Sequence, residues 1–125
     1  MDISKQIDYW HSGAVEDWEV ARELVLNGRT RHGLFFAHLA LEKILKAHVC
    51  RTTDDLAPRI HALLRLAERI DLILTEEQLL FLARFDRYQM EGRYPDTLPP
   101  APDRDFALAE LGKAEEVFEW LIHQL

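Results

Sequence analysis

Along the first fifth of the chain, apolar and small residues return at steps of four and three. Trp10, Ala14, Asp17, Ala21 and Leu24 fall on one face, with Trp18 and Val25 widening it, and this spacing predicts a helix over residues 3–26. Asn27-Gly28 closes it, because glycine accepts the left-handed backbone of a helix C-terminus. A second helix is predicted over 31–50. Phe35, Phe36, Leu39, Ala40, Ile44, Leu45 and Ala47 leave little of its circumference polar, so it is expected to be the most buried element. Thr52-Thr53-Asp54-Asp55 ends it. Pro58 suits the first turn of a third helix over 57–71, where its missing N–H is not needed; Ile60, Leu63, Leu64, Ala67 and Ile70 form the stripe. Thr75-Glu76-Glu77-Gln78 matches a capping box that opens a helix over 76–90. The last helix is predicted over 103–124, with Asp103 and Asp105 placed for capping and for the helix dipole.

Strand signals are nearly absent, and the chain has no internal repeat. Four or five helices in one domain, residues 1–125, are therefore expected, and the long ones pack most readily as an up-and-down bundle of all-α class. One connection stands out. "EGRYPDTLPPAPDRD", residues 91–105, holds four of the five prolines, whereas helices in a bundle are usually joined by about 2–8 residues.

Composition narrows the class. The 125 residues are 48% hydrophobic and 30% charged, which suits a globular protein of one core. Cys50 is the single cysteine, so no intrachain disulfide forms and a reducing compartment is expected. The start, "MDISKQIDYWHSG", has no apolar run of a signal peptide, and no segment reaches the roughly 18–20 apolar residues of a membrane span; a cytoplasmic protein without a membrane partner is expected. The net charge of −7 is not that of a dedicated non-specific DNA binder, which is expected to be basic, though an acidic total leaves room for a local basic patch. "NGRTRH" (27–32) and the scattered Arg51, Arg59, Arg65 and Arg69 read as solvated surface. Three tryptophans and six phenylalanines exceed what one small core readily takes, and an exposed aromatic patch marks an interface; this points to a homodimer.

Candidate chemistry concentrates in "LALEKILKAHV" (39–49). Glu42 and Lys46 stand at i and i+4 in the favourable order, with Lys43 about 100° round the helix. Glu42 and Lys43 lie on a helix with little polar surface, so charges there need partners. Asp17, on the apolar face of the first helix, is expected to pair with Lys43 or Lys46 as a structural contact. His38 and Glu42 are also i, i+4, but no second helix offers a matching ligand pair, and no metal or cofactor is expected. Cys50 has nothing local to activate it. Phosphate loops, zinc-finger spacings and Gly-x-Ser-x-Gly are absent.

Tryptophan and Asp17 in the first helix, then "FFAHLALEKILKAHV", "RIHALLRLA", "GRYPD" and "ALAELGKAEEVFEWL", follow one another in an order that resembles the HEPN domain family across nearly the whole chain. The resemblance implies a bundle of four or five helices, a homodimer, nucleotide binding, and a nucleotidyltransferase as partner protein. Some relatives are RNA-cleaving toxins of toxin–antitoxin pairs. Their sites carry Arg, four to six residues, then His, and use no metal. Here Arg93 stands where the arginine belongs, but Leu98, Pro99 and Pro100 occupy the places of the histidine. Arg31 and His38 have the spacing in the wrong part of the fold. The resemblance thus implies a non-catalytic module with Arg93, Tyr94, Lys43 and Lys46 as nucleotide contacts and Asp17 and Glu42 as structural polar residues. The alternative is a ribonuclease with a diverged site, Arg93 working with His61, which matches a histidine of the family near the third helix.

Overall fold

The computed structural model describes residues 2–89 and 100–125. All described elements are helices: α1 (Ile3–Leu26), α2 (Thr30–Thr53), α3 (Leu63–Ala67), α4 (Glu76–Phe85) and α5 (Arg104–Gln124). α1 has the predicted limits. Asp2 caps its start by accepting from the Lys5 N–H. At its end the chain turns through Asn27 and Gly28, whose φ of +83° is the left-handed conformation expected of that glycine. The turn folds α2 back against α1. Gly33 stands where the two helices pack closely: a Cβ there would run into Val25 Cγ2 and lie 3.0 Å from the Val25 nitrogen.

α2 is the central element, with fifteen of its residues buried. It runs beyond the predicted end at residue 50 because its last turn is held from outside. The Arg51 guanidinium donates to the backbone carbonyls of Gln124 and Leu125 at 3.2 and 2.7 Å, and Thr53 Oγ1 donates back to the Val49 carbonyl. At the opposite end Thr30 Oγ1 donates to the Pro102 carbonyl at 2.7 Å. α5 therefore lies parallel to α2 and is tied to it at both ends. α1 and α5 meet through Trp18 stacked on Phe118, ring centres 4.8 Å apart. Asp103 caps α5 by accepting from the Phe106 N–H, as expected.

The third predicted helix is the main correction. Instead of a helix over 57–71 the chain forms five helical residues, and Pro58 stands in irregular chain before them rather than in a first turn. The start is set from elsewhere: the Leu63 N–H donates to Asp86 Oδ1 at 2.8 Å. That carboxylate caps the helix at Leu63, and Ala62 before it is extended, with ψ 120°. Farther on, the Asp71 N–H donates to Thr52 Oγ1. α4 opens on the predicted capping box of Thr75 and Gln78, and Asp86 breaks it five residues short of the predicted end, with helical backbone again at 87–89. Phe81, Phe85 and Tyr88 pack in sequence, at centroid distances of 5.1 and 4.8 Å, and with Leu63, Leu66, Ile70 and Leu74 they extend the core. Of the tryptophans and phenylalanines, Trp18, Phe81, Phe85 and Phe118 are buried, Trp10, Phe35, Phe36 and Trp120 are part-buried, and Phe106 is exposed. Among the described residues no helix is long and apolar enough to cross a membrane.

Candidate functional site

The 3.6-residue period brings His38, Glu42 and Lys46 to one face of α2, and all three are buried. They survive there because each polar group has a partner. Glu42 Oε2 accepts from Lys46 Nζ at 3.0 Å and lies 3.1 Å from His61 Nδ1. His38 Nε2 lies 2.9 Å from Asp86 Oδ1, the oxygen that also caps Leu63. Its other nitrogen is 4.0 Å from Glu42 Oε1, too far for a hydrogen bond. Lys46 Nζ also sits 5.1 Å from the centre of the Trp10 ring, a favourable cation–π placement. The indole Nε1 of Trp10 is buried and has no acceptor among the described residues.

The tautomers follow from these acceptors. A carboxylate accepts only, so His38 donates through Nε2 and His61 through Nδ1. The His61 side chain is 50% exposed. Chemically this is a half-exposed imidazole oriented by a buried carboxylate.

The two lysines expected to contact a nucleotide are both engaged. Lys43 Nζ pairs with Asp17 Oδ2 at 2.7 Å, the cross-bundle contact expected of Asp17, and its stem crosses α1 over Gly13. Lys46 Nζ pairs with Glu42 Oε2 at 3.0 Å. Arg93 and Tyr94 lie outside the described residues. Among the described residues, no group of three or more histidine, cysteine or acidic side chains is arranged to hold a metal.

Three further groups escaped the sequence reading. The buried Glu110 accepts from Arg84 at 2.6 Å and from the Tyr88 hydroxyl at 2.9 Å. Burial alone would raise its carboxyl, but these donors and the Arg84 charge hold it below the ordinary 4.5. Glu110 sits among Ala107, Leu111 and Ala114 at helical spacing, and that signal was present in the sequence. His48 Nε2 lies 2.8 Å from the Leu121 carbonyl, to which it donates. Burial lowers its imidazole below the ordinary 6.5, against the raising effect of that bond and with some help from Arg51. Burial likewise raises the Cys50 thiol, in line with an inert buried cysteine. Asp86 is the third: nothing in "FLARFDRY" announces that its carboxylate joins α2 to the start of α3.

Comparison with known proteins gives the family context. The family model described as "HEPN domain" matches residues 7–125. Among solved structures, the chain is similar to the crystal structure of the protein TT1696 from Thermus thermophilus, with a TM-score of 0.81 and 23% identity over 96% of this chain and 98% of that one. At that identity the likeness concerns the fold. A search of curated proteins finds no match.

Proposed function

Because the chain belongs to the HEPN domain family, we propose that it is a non-catalytic member of it, a homodimer that works beside a nucleotidyltransferase and uses Arg93 and Tyr94 as its nucleotide contacts. The observation that carries this reading is the absence of a proton-transfer group where nuclease relatives keep their histidine: Leu98, Pro99 and Pro100 stand there. The arginine is retained. A planar guanidinium suits bidentate contact with phosphate, and the tyrosine ring suits stacking on a base. Lys43 and Lys46 serve the bundle through their ion pairs and are left out of the nucleotide site.

Titration calorimetry with nucleoside mono-, di- and triphosphates tests the reading. The expected result is binding that Arg93→Ala weakens about tenfold or more, the loss of one charge-assisted hydrogen bond. Sedimentation at micromolar concentration should give a dimer. Absence of nucleotide binding in folded protein, or a monomer, overturns the proposal.

One observation favours the ribonuclease alternative. The Glu42–His61 pair has the geometry of a base and its orienting carboxylate, and Arg93 with His61 would then assist attack of a ribose 2′-hydroxyl on the adjacent phosphate. That reading requires RNA cleavage in the presence of chelator and growth arrest on expression, both removed by His61→Ala. We expect neither.

A further inference from the structure

The turn between α1 and α2 holds a residue pair with chemistry of its own. Asn27 is the only asparagine of the chain, and a glycine follows it. The turn requires that glycine: Gly28 has φ +83°, a backbone that residues with a Cβ rarely adopt. The missing Cβ also leaves the Gly28 nitrogen unshielded beside the Asn27 side-chain amide, and asparagine is among the thermolabile residues. The reaction open to this pair is closure of a cyclic imide. A bond forms between the Gly28 nitrogen and Asn27 Cγ, and the bond from Cγ to Nδ2 breaks. Nδ2 leaves as ammonia, with the proton that the Gly28 nitrogen gives up. Water then opens the imide at either carbonyl, leaving aspartate or isoaspartate.

In the folded chain both reacting nitrogens are tied to carbonyls of α1. The Gly28 N–H donates to the Val25 carbonyl at 3.0 Å. Asn27 Nδ2 donates to the Glu23 carbonyl at 2.8 Å, and the Asn27 N–H reaches the same oxygen at 3.0 Å. The next N–H, of Arg29, is held by the Leu24 carbonyl at 2.8 Å. Nucleophile and leaving group are thus both drawn onto the helix end, although Asn27 and Gly28 are exposed to water.

We propose that Asn27 is a latent site of self-modification gated by the last turn of α1: its amide persists while the turn is closed and is hydrolysed through the imide when the turn opens. The products fit the closed turn less well than the amide does. A carboxylate only accepts hydrogen bonds, so aspartate cannot donate to the Glu23 carbonyl. It also places negative charge at the negative end of the helix dipole and at i+4 from Glu23, a like-charge pair. Isoaspartate inserts an extra backbone carbon just before the stretch that must bring Thr30 to Pro102 and Gly33 against Val25. The modification is therefore one-way: a chain that has reacted closes its turn less well than one that has not.

The test follows the full chain by peptide mass spectrometry during incubation in mildly alkaline buffer, with isoaspartate at residue 27 counted separately. Folded wild type should convert at least about tenfold more slowly than the same chain unfolded in urea, because the hydrogen bonds that close the turn must first break. In urea Gly28→Ala should slow conversion about tenfold, its methyl shielding the nitrogen. Asn27→Asp, which stands for the first product, should lower Tm by about 4 °C through the lost donor and the unfavourable charge. Equal rates in folded and unfolded chain overturn the gate. Conversion without isoaspartate, or unchanged by Gly28→Ala in urea, overturns the imide route. An unchanged Tm for Asn27→Asp overturns the one-way character.

Discussion

Replacing Lys46 by methionine keeps most of the volume of the side chain and removes the ammonium. Glu42, 4% exposed, would keep His61 as its nearest donor, at 3.1 Å, and the Trp10 ring would lose its cation. Breaking a buried pair by removing one partner costs about 3–5 kcal/mol, because the remaining charge is left uncompensated. His61 retains part of the compensation, so the low end, about 3 kcal/mol, is expected. With an unfolding entropy of about 2.1 cal/mol/K per residue, a chain of 125 residues loses about 11 °C of Tm. The double variant Glu42→Met/Lys46→Met removes both charges, and an apolar pair of similar size is often neutral. It should therefore unfold within about 1 kcal/mol of the wild type, His61 turning to water. Urea denaturation followed by circular dichroism on the wild type, both single variants and the double closes the cycle. If Lys46→Met costs less than about 1 kcal/mol, or the double costs the sum of the singles, the reasoning from burial is refuted.

Gly33→Ala should destabilise by about 2 kcal/mol or more, since the new methyl meets Val25 and the Ala21 backbone rather than a flexible chain end; Gly112→Ala, whose new methyl meets none of the described residues within 4 Å, should stabilise, and thermal melts separate the two. Glu110→Gln should lose about 1 kcal/mol at neutral pH, the partly exposed Arg84 limiting the value of the pair. The folded carboxyl is depressed, so the wild-type contribution is present above 4.5 and lost as pH falls through the folded value; the variant's acid limb should be flatter. His48 is lowered as well, and for a base this burial disfavours the charged form: the unfolded chain takes up the proton first as pH falls below 6.5, so stability declines there, and His48→Gln should remove that slope in melts between pH 7 and 5. Cys50, buried and with its thiol raised, should react with a thiol reagent in the native state only at the rate of opening; fast labelling would contradict its placement.

The long helices were legible because each is written in a local pattern. The α1 limits follow from its stripe and the Asn27-Gly28 stop, and α4 and α5 begin at side-chain caps that the sequence displays. The shortened α3 was not legible. Its stripe from Ile60 to Ile70 fits a helix, but the Asp86 carboxylate, 23 residues beyond Leu63, decides where the helix starts. The irregular chain before it brings His61 to Glu42 instead. The candidate site divides the same way. Glu42 and Lys46 at i, i+4, and the need of Asp17 for a cation, could be read from the chain. That Lys46 would be shut inside the bundle under Trp10 depends on how α1 and α2 cross, which no local pattern encodes. Arg93 and Tyr94 remain assignments from sequence.

The two clamps between α2 and α5 have a consequence for how this chain can change length. Twenty-one residues separate Thr30 from Arg51, and twenty-two separate Pro102 from Gln124. At 1.5 Å per residue these are rods of nearly equal length, about 31–33 Å, bolted together at both ends. Deleting one residue from either rod shortens it by about 1.5 Å and turns everything beyond the deletion by about 100°. One bolt then fails, or the apolar face rotates out of the bundle. Among the described residues, insertions and deletions are therefore better tolerated where the rods do not reach, as at 54–62 and 68–75, unless both helices change length together. Relatives that differ in the length of one of these helices should differ in the other by the same number of residues.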